Sequence, residues 1–187
     1  MNFLEKYNNK KNIRFDSFKF ALTEAKNRGL KTLVETGCAR GKTKFIFFSK
    51  KNWKDGMSTI IFSDYAKHVN GFLTTCDIEA KNITNAKKFV AKNKEYVNFI
   101  VDDSLNFLSK FNQNIDFLYL DSLDGQFKEA SSHQLKEIKI AIKKLHNNSL
   151  VLLDDKGSKT NLSIDFMLNN NFKILNETNE QVLLSLI

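Results

Sequence analysis

Apolar and polar positions in this chain switch between two periods along its length. Residues 15–28 place Phe18, Leu22 and Ala25 on one face of a helix, which should stop at Gly29 because a glycine takes the left-handed turn there. Residues 30–35 read as a first strand and 72–77 as a second. Between them, residues 58–69 return to helical spacing, with Ile61, Tyr65 and His68 or Val69 along a face and hydroxyls at Ser58 and Thr59 suited to a cap. Ile83, Ala86, Phe89 and Val90 mark a third helix, 97–101 a third strand, and Leu105, Leu108 and Phe111 a short helix that Ser104 could cap. Residues 115–120 (I-D-F-L-Y-L) are almost continuously apolar, the pattern of a parallel strand covered on both faces. Residues 131–146 read as an amphipathic helix carrying Leu135, Ile138, Ile142 and Leu145, with Ser131 to Gln134 resembling a capping box. A strand at 150–153, a helix at 161–168 and strands at 172–175 and 182–186 complete the chain. Strand and helix alternate throughout, which predicts an α/β fold with a mostly parallel sheet.

Five of these strands run into an acid: Glu35, Asp77, Asp103, Asp121 and Asp154. In a parallel sheet all five line one rim, where open α/β sheets bind their ligands. Any single one is also what helix capping would leave behind, worth about 1 kcal/mol. Five together argue for a ligand with hydroxyls or amines, or for a divalent cation, and against a phosphate. The stretch 31–41, K-T-L-V-E-T-G-C-A-R-G, adds Gly37 and Gly41 after Glu35, a loop whose backbone can approach a ligand closely. Its continuation, G-C-A-R-G-K-T at 37–43, is one residue too short between its glycines for a phosphate-binding P-loop. An NTPase dependent on Lys42 is therefore the remote alternative. The dinucleotide fingerprint G-x-G-x-x-G is absent as well.

Composition narrows the picture. With 187 residues, 42% hydrophobic, the chain is long enough for a full core and is expected to form a single domain over 1–187, with 1–29 as a helical lead-in. No apolar run approaches a membrane span and the N-terminus lacks a signal-type apolar core, so a cytoplasmic location is expected. Cys38 and Cys76 form no disulfide framework and read as buried thiols; His68, His133 and His146 lack metal-ligand spacing. The net charge of +8 invites a nucleic-acid partner, but only three of the 29 basic residues are arginine and the lysines are scattered. Specific nucleic-acid recognition is not expected.

Taken in order, V-E-T-G-C-A-R-G, T-C-D-I-E, V-D-D-S-L, D-F-L-Y-L-D-S and S-L-V-L-L-D-D resemble the successive motifs of class I S-adenosylmethionine-dependent methyltransferases. That resemblance implies a Rossmann-like three-layer αβα sandwich, a seven-stranded, mostly parallel sheet with one antiparallel strand, in the order 3-2-1-4-5-7-6. It implies that Glu35, Gly37, Cys38 and Gly41 hold the amino-acid end of the cofactor and that Asp77, with Ile78 beside it, takes the ribose hydroxyls. Asp103 or Ser104 would meet the adenine amine, and Asp121 would border the methyl group. Residues 42–55 depart from the common form as an insertion loop before G-M-S-T at 56–59, which resembles a helix start seen in one subgroup. Amides near Gly56, Ser58 and Thr59 could then face the cofactor carboxylate, and whether Gly41 or Gly56 makes the close contact stays open. Trp53 could cover the site or simply pack on the surface.

Asp121, Asp124, Asp154 and Asp155 follow the fourth and fifth strands without an evident arginine partner. The pattern is similar to metal-dependent O-methyltransferases of the catechol and macrolide-sugar types. It implies Asp121, Asp154 and Asp155 as ligands of a magnesium ion that lowers the acceptor's pKa, with Asp124 or Lys156 as base. Asp124-Gly125 and the run 154–157 also read as plain turns. The resulting expectation is a methyltransferase acting on an oxygen of a small hydroxylated acceptor gripped by loops or by a second subunit. Its alternatives are a nucleic-acid methyltransferase and a non-catalytic cofactor-binding relative.

Overall fold

A computed structural model describes residues 2–45, 48–55 and 57–187. Seven strands form one sheet in the order β5-β4-β1-β6-β7-β9-β8, where β1 is Thr32–Thr36, β4 Phe72–Asp77, β5 Val97–Val101, β6 Ile115–Leu120, β7 Leu145–Asp154, β8 Phe172–Glu177 and β9 Gln181–Leu186. Only β9 runs against its neighbours. This is the α/β, Rossmann-like order that the resemblance implies, once a separate two-stranded hairpin is set aside.

Alternate residues of the central strands divide between two cores. Leu33, Phe117, Tyr119, Leu150 and Leu152 face the layer of α1 (Phe15–Asn27) and α2 (Ser58–His68). Val34, Leu118, Leu120, Val151 and Leu153 face α4 (Ser104–Lys110), α5 (Ala130–Ala141) and α6 (Asn161–Leu168). Burial on both faces is why these strands read as continuous apolar runs. On the first face Phe62 stands at the centre of an edge-to-face cluster, its ring 5.1 to 5.6 Å from those of Phe18, Phe117 and Tyr119. The third helix, α3 (Ala80–Phe89), sets Ile83 and Ala86 against Cys38. Both cysteines are buried and free.

Several local expectations change. The helix foreseen over 131–146 ends at Ala141, passes through a 3₁₀ turn and becomes β7 at Leu145, because Ser149 ties the backbone of His146 and Ile115 into the sheet. Its N-cap is Glu129, and no side-chain capping bond is made. Asp103, rather than Ser104, caps α4: its carboxylate accepts from the amides of Leu105 and Asn106. The insertion at 42–55 is not a loop but an antiparallel hairpin, β2 (Lys42–Phe45) with β3 (Phe48–Lys51), followed by a 3₁₀ turn at Trp53–Asp55. The Trp53 ring packs at a tilt, 5.6 Å from that of Tyr7, joining the insertion to the N-terminal 3₁₀ turn Asn2–Tyr7. Among the described residues, no helix is long and apolar enough to cross a membrane.

Candidate functional site

The carboxyl ends of β1, β4, β5, β6 and β7 open on one rim, and the backbone makes the first opening there. Gly37 sits at φ +80°, and a Cβ on it would lie 2.1 Å from the carbonyl oxygen of Asp121. Only glycine allows the loop after β1 to cross so close to the end of β6. Gly41 packs differently: its carbonyl accepts from Asn52, and a Cβ would meet Asn52 and the Met57 sulfur. It closes the base of the hairpin and lines neither cleft described below. Gly56 lies outside the described residues.

Glu35 is fully buried beneath this loop. Its Oε2 accepts from Thr75 at 2.6 Å and from Thr59 at 2.7 Å, and Thr59 Oγ1 in turn accepts from the Ala39 amide at 2.7 Å. Oε1 has no protein partner. Burial pushes the Glu35 pKa up to about 7, against the downward pull of the Ser58, Thr75 and Thr59 hydroxyls. The carboxylate therefore fixes the loop from below, through Thr59.

Two small adjoining clefts flank Gly37. One is lined by Cys38, Arg40, Ser58 and Asp77. The other, about 130 Å³ and mainly apolar, is lined by Asp77, Ile78, Asp103, Ser104, Leu123 and His133. Ile78 is 67% exposed at its edge, an apolar side chain held out beside a polar turn. Asp77 shapes that turn by accepting from the amides of Cys38 (3.2 Å) and Glu79 (2.8 Å) and from Asn82. Ser104 Oγ lies 3.0 Å from His133 Nε2, which carries α5 to the cleft. Burial, chiefly, pushes the Cys76 thiol up to about 12 and the Cys38 thiol higher still, so neither is a ready nucleophile.

Beside these clefts lies a polar chamber of about 680 Å³, bounded by Arg14, Arg40, Lys54, Asp124, Asp154 and Asp155 among others. Asp121 reaches both this chamber and the Cys38 cleft. One carboxylate oxygen each from Asp121, Asp154 and Asp155 falls within 4.8 Å of the others. The expectation that these acids lack an arginine partner is corrected here. Arg14 Nε donates to Asp154 Oδ1 at 2.6 Å and its Nη2 to Asp155 Oδ1 at 2.9 Å. Lys159, also buried, donates to Asp121 Oδ1 at 2.7 Å and to the Leu123 carbonyl at 3.1 Å, and stands 3.1 Å from Asp155 Oδ2. Gln181 Nε2 gives a further bond to Asp154 Oδ1 at 2.8 Å. Asp154 Oδ2 is buried with no protein partner.

The remaining candidates part company. Asp124 stays at the chamber, paired with Arg40. Lys156 does not reach it: its ammonium pairs with Glu177 on β8 at 2.6 Å. The lysine that pairs with the acidic trio is Lys159, and the i, i+4 spacing from Asp155 was its one trace in the sequence. Arg14 carries no local signature, since its acidic partners lie far along the chain, whereas His133 pairs locally with Glu137 and reaches Ser104 only through the fold.

The signature of a family described as "Methyltransferase domain" matches residues 53–156. No curated protein matches the chain at the sequence level. Among solved structures, the SAH-bound Podospora anserina methyltransferase PaMTH1 is similar over 91% of this chain and 78% of its own, at 12% identity and a TM-score of 0.65. An rRNA methylase from Streptococcus thermophilus is similar over 96% and 99%, at 13% identity and 0.62. The N-methyltransferase NodS from Bradyrhizobium japonicum is similar over 92% and 97%, at 12% identity and 0.56.

Proposed function

This chain belongs to the methyltransferase-domain family, and on that premise we propose that it methylates an oxygen of a small hydroxylated acceptor, with S-adenosylmethionine as donor. The observation that carries the reading is the Gly37 crossing. It leaves two clefts along the ends of β1, β4 and β5, and these meet a chamber of about 680 Å³ at Asp121. A cofactor in the clefts and an acceptor in the chamber would meet across that residue. The bound cofactor supplies an electrophilic methyl group on a sulfonium.

The chain's own part is alignment and proton handling. Gly37, Cys38 and Ser58 form the floor at the amino-acid end of the cofactor. Asp77 faces the ribose, and Ile78, Asp103 and Ser104 border the base. Asp154, held by Arg14 and Gln181, borders the place where the acceptor's hydroxyl would lie, and Asp124 is the carboxylate at the chamber able to take the proton. The products are S-adenosylhomocysteine and a methyl ether.

Thermal unfolding with S-adenosylhomocysteine tests the cofactor half. A ligand at about a hundred times its dissociation constant adds about 2.7 kcal/mol, a readable shift. Gly37→Ala should abolish that shift, because the new Cβ drives the loop off Asp121; an undiminished shift would rule out the crossing as the cofactor's floor. Asp154→Asn should keep the shift and slow methyl transfer by about a hundredfold. Assaying hydroxylated small molecules beside RNA at two salt concentrations separates the acceptor classes, since phosphate contacts weaken steeply with salt.

A further inference from the structure

The carboxylates of Asp121, Asp154 and Asp155 have the residue types and the proximity of a magnesium site. Their donor set does not fit one, because basic side chains of the chain itself already fill it. We propose that Lys159 and Arg14 are the resident cations of this carboxylate trio, standing where a divalent ion would otherwise sit, and that the acceptor is oriented without a metal. The metal-free conclusion for catalysis rests on the methyltransferase reading; the occupancy of the trio by Lys159 and Arg14 does not.

Three observations converge. First, the Lys159 ammonium has three donors, and three acceptors surround it: Asp121 Oδ1 at 2.7 Å, the Leu123 carbonyl at 3.1 Å and Asp155 Oδ2 at 3.1 Å. Its side chain is buried, so a magnesium ion binding Asp121 and Asp155 would have to expel a desolvated ammonium or sit beside it. Second, Arg14 spans Asp154 and Asp155 with separate nitrogens, at 2.6 and 2.9 Å, a forked contact suited to fixing two carboxylates. Magnesium needs carboxylate oxygens at about 2.0–2.1 Å in octahedral array, whereas Asp121 Oδ1, Asp154 Oδ1 and both Asp155 oxygens are already engaged by Lys159, Arg14 or Gln181. Third, the turn that delivers Lys159 is specially shaped. Asp155 adopts φ +56°, a left-handed conformation rare for a residue with a side chain, and Gly157 follows at φ +84°. The amides of Ser158 and Lys159 then both donate to the Asp155 carbonyl, which returns Lys159 under the end of β6. A backbone held in this form places the ammonium between Asp121 and Asp155.

Lys159 and Arg14 are positioning residues on this account. They hold Asp121, Asp154 and Asp155 in place at the edge of the chamber. The test reads manganese binding by electron paramagnetic resonance, with no methyl transfer involved, alongside S-adenosylhomocysteine binding. The wild-type protein should bind no stoichiometric Mn²⁺, and chelator should leave its melting temperature unchanged. Lys159→Met empties the ammonium's position and should raise Mn²⁺ affinity at least about tenfold, while Lys159→Arg should not. One manganese per wild-type chain, lost in Asp155→Asn, would overturn the proposal. So would a folded Lys159→Met protein that binds no more Mn²⁺ than wild type. Should Lys159→Met fail to fold, Lys159→Gln carries the same prediction, and the wild-type measurement decides on its own. Loss of S-adenosylhomocysteine binding would count against the methyltransferase reading and leave the manganese result standing.

Discussion

A single buried carboxylate sets an unusual pH dependence. Glu35 has no exposure and a folded pKa of about 7, above the ordinary 4.5, because burial disfavours its charged form. Between those two values the native protein keeps a proton that the unfolded chain has released. Stability therefore falls as pH rises from about 4.5 to about 7 and is flat above that, a loss of about 3 kcal/mol attributable to this group. Glu35→Gln should flatten the slope of melting temperature against pH over that window. An unchanged slope in the variant would assign it to other groups. The sequence marks Glu35 as an acid at a strand end; it does not reveal that Thr59 and Thr75 claim one oxygen from below the loop, since those contacts join three elements.

Elements with dense local patterning were legible to their boundaries. β4, β5 and β6 span the residues their apolar runs indicate, and α6 occupies 161–168 as expected. The hairpin was not legible: 42–51 offers neither a turn glycine nor a clean alternation, and its pairing joins the insertion to itself rather than to the main sheet. The start of β7 was misread as helix because Leu145 continues the preceding spacing, while the pairing of Leu145 with Ile115 is a tertiary fact. At α4 the strand-end acid proves to be a helix cap as well as a cleft residue. Asp103→Ala should accordingly cost about 1 kcal/mol of stability in chemical denaturation, through the lost bonds to Leu105 and Asn106. If the variant also weakened S-adenosylhomocysteine binding well beyond that effect, Asp103 would have a direct ligand role in addition.

At the scale of the whole molecule, the two cores share one sheet, with neighbouring residues such as Leu33 and Val34, or Leu152 and Leu153, facing opposite layers. Neither layer can lose its packing without stripping the sheet the other depends on. The expected outcome is one cooperative transition, with tryptophan fluorescence at Trp53 and far-ultraviolet circular dichroism tracing the same curve. Phe62→Ala, which removes the hub of the aromatic cluster, should shift both traces together by about 3–5 kcal/mol. Traces that separate would mean the chain folds as more than one unit. The acids at the rim were legible in the sequence because strand ends are local. Their neutralisation was not, because Arg14 lies 140 residues from Asp154.

That distance also has a consequence for how the protein is made. Arg14 and Gln181 both bond Asp154, so the chamber draws on residues near both ends of the sequence. On a translating ribosome, the first strands can emerge and pair while Asp154 and Asp155 are still unsynthesised, and Gln181 remains in the exit tunnel after that. Nascent chains would then have a cofactor cleft before they have an acceptor chamber. On the proposed function, the acceptor side would be complete only once β9 has slid in between β7 and β8.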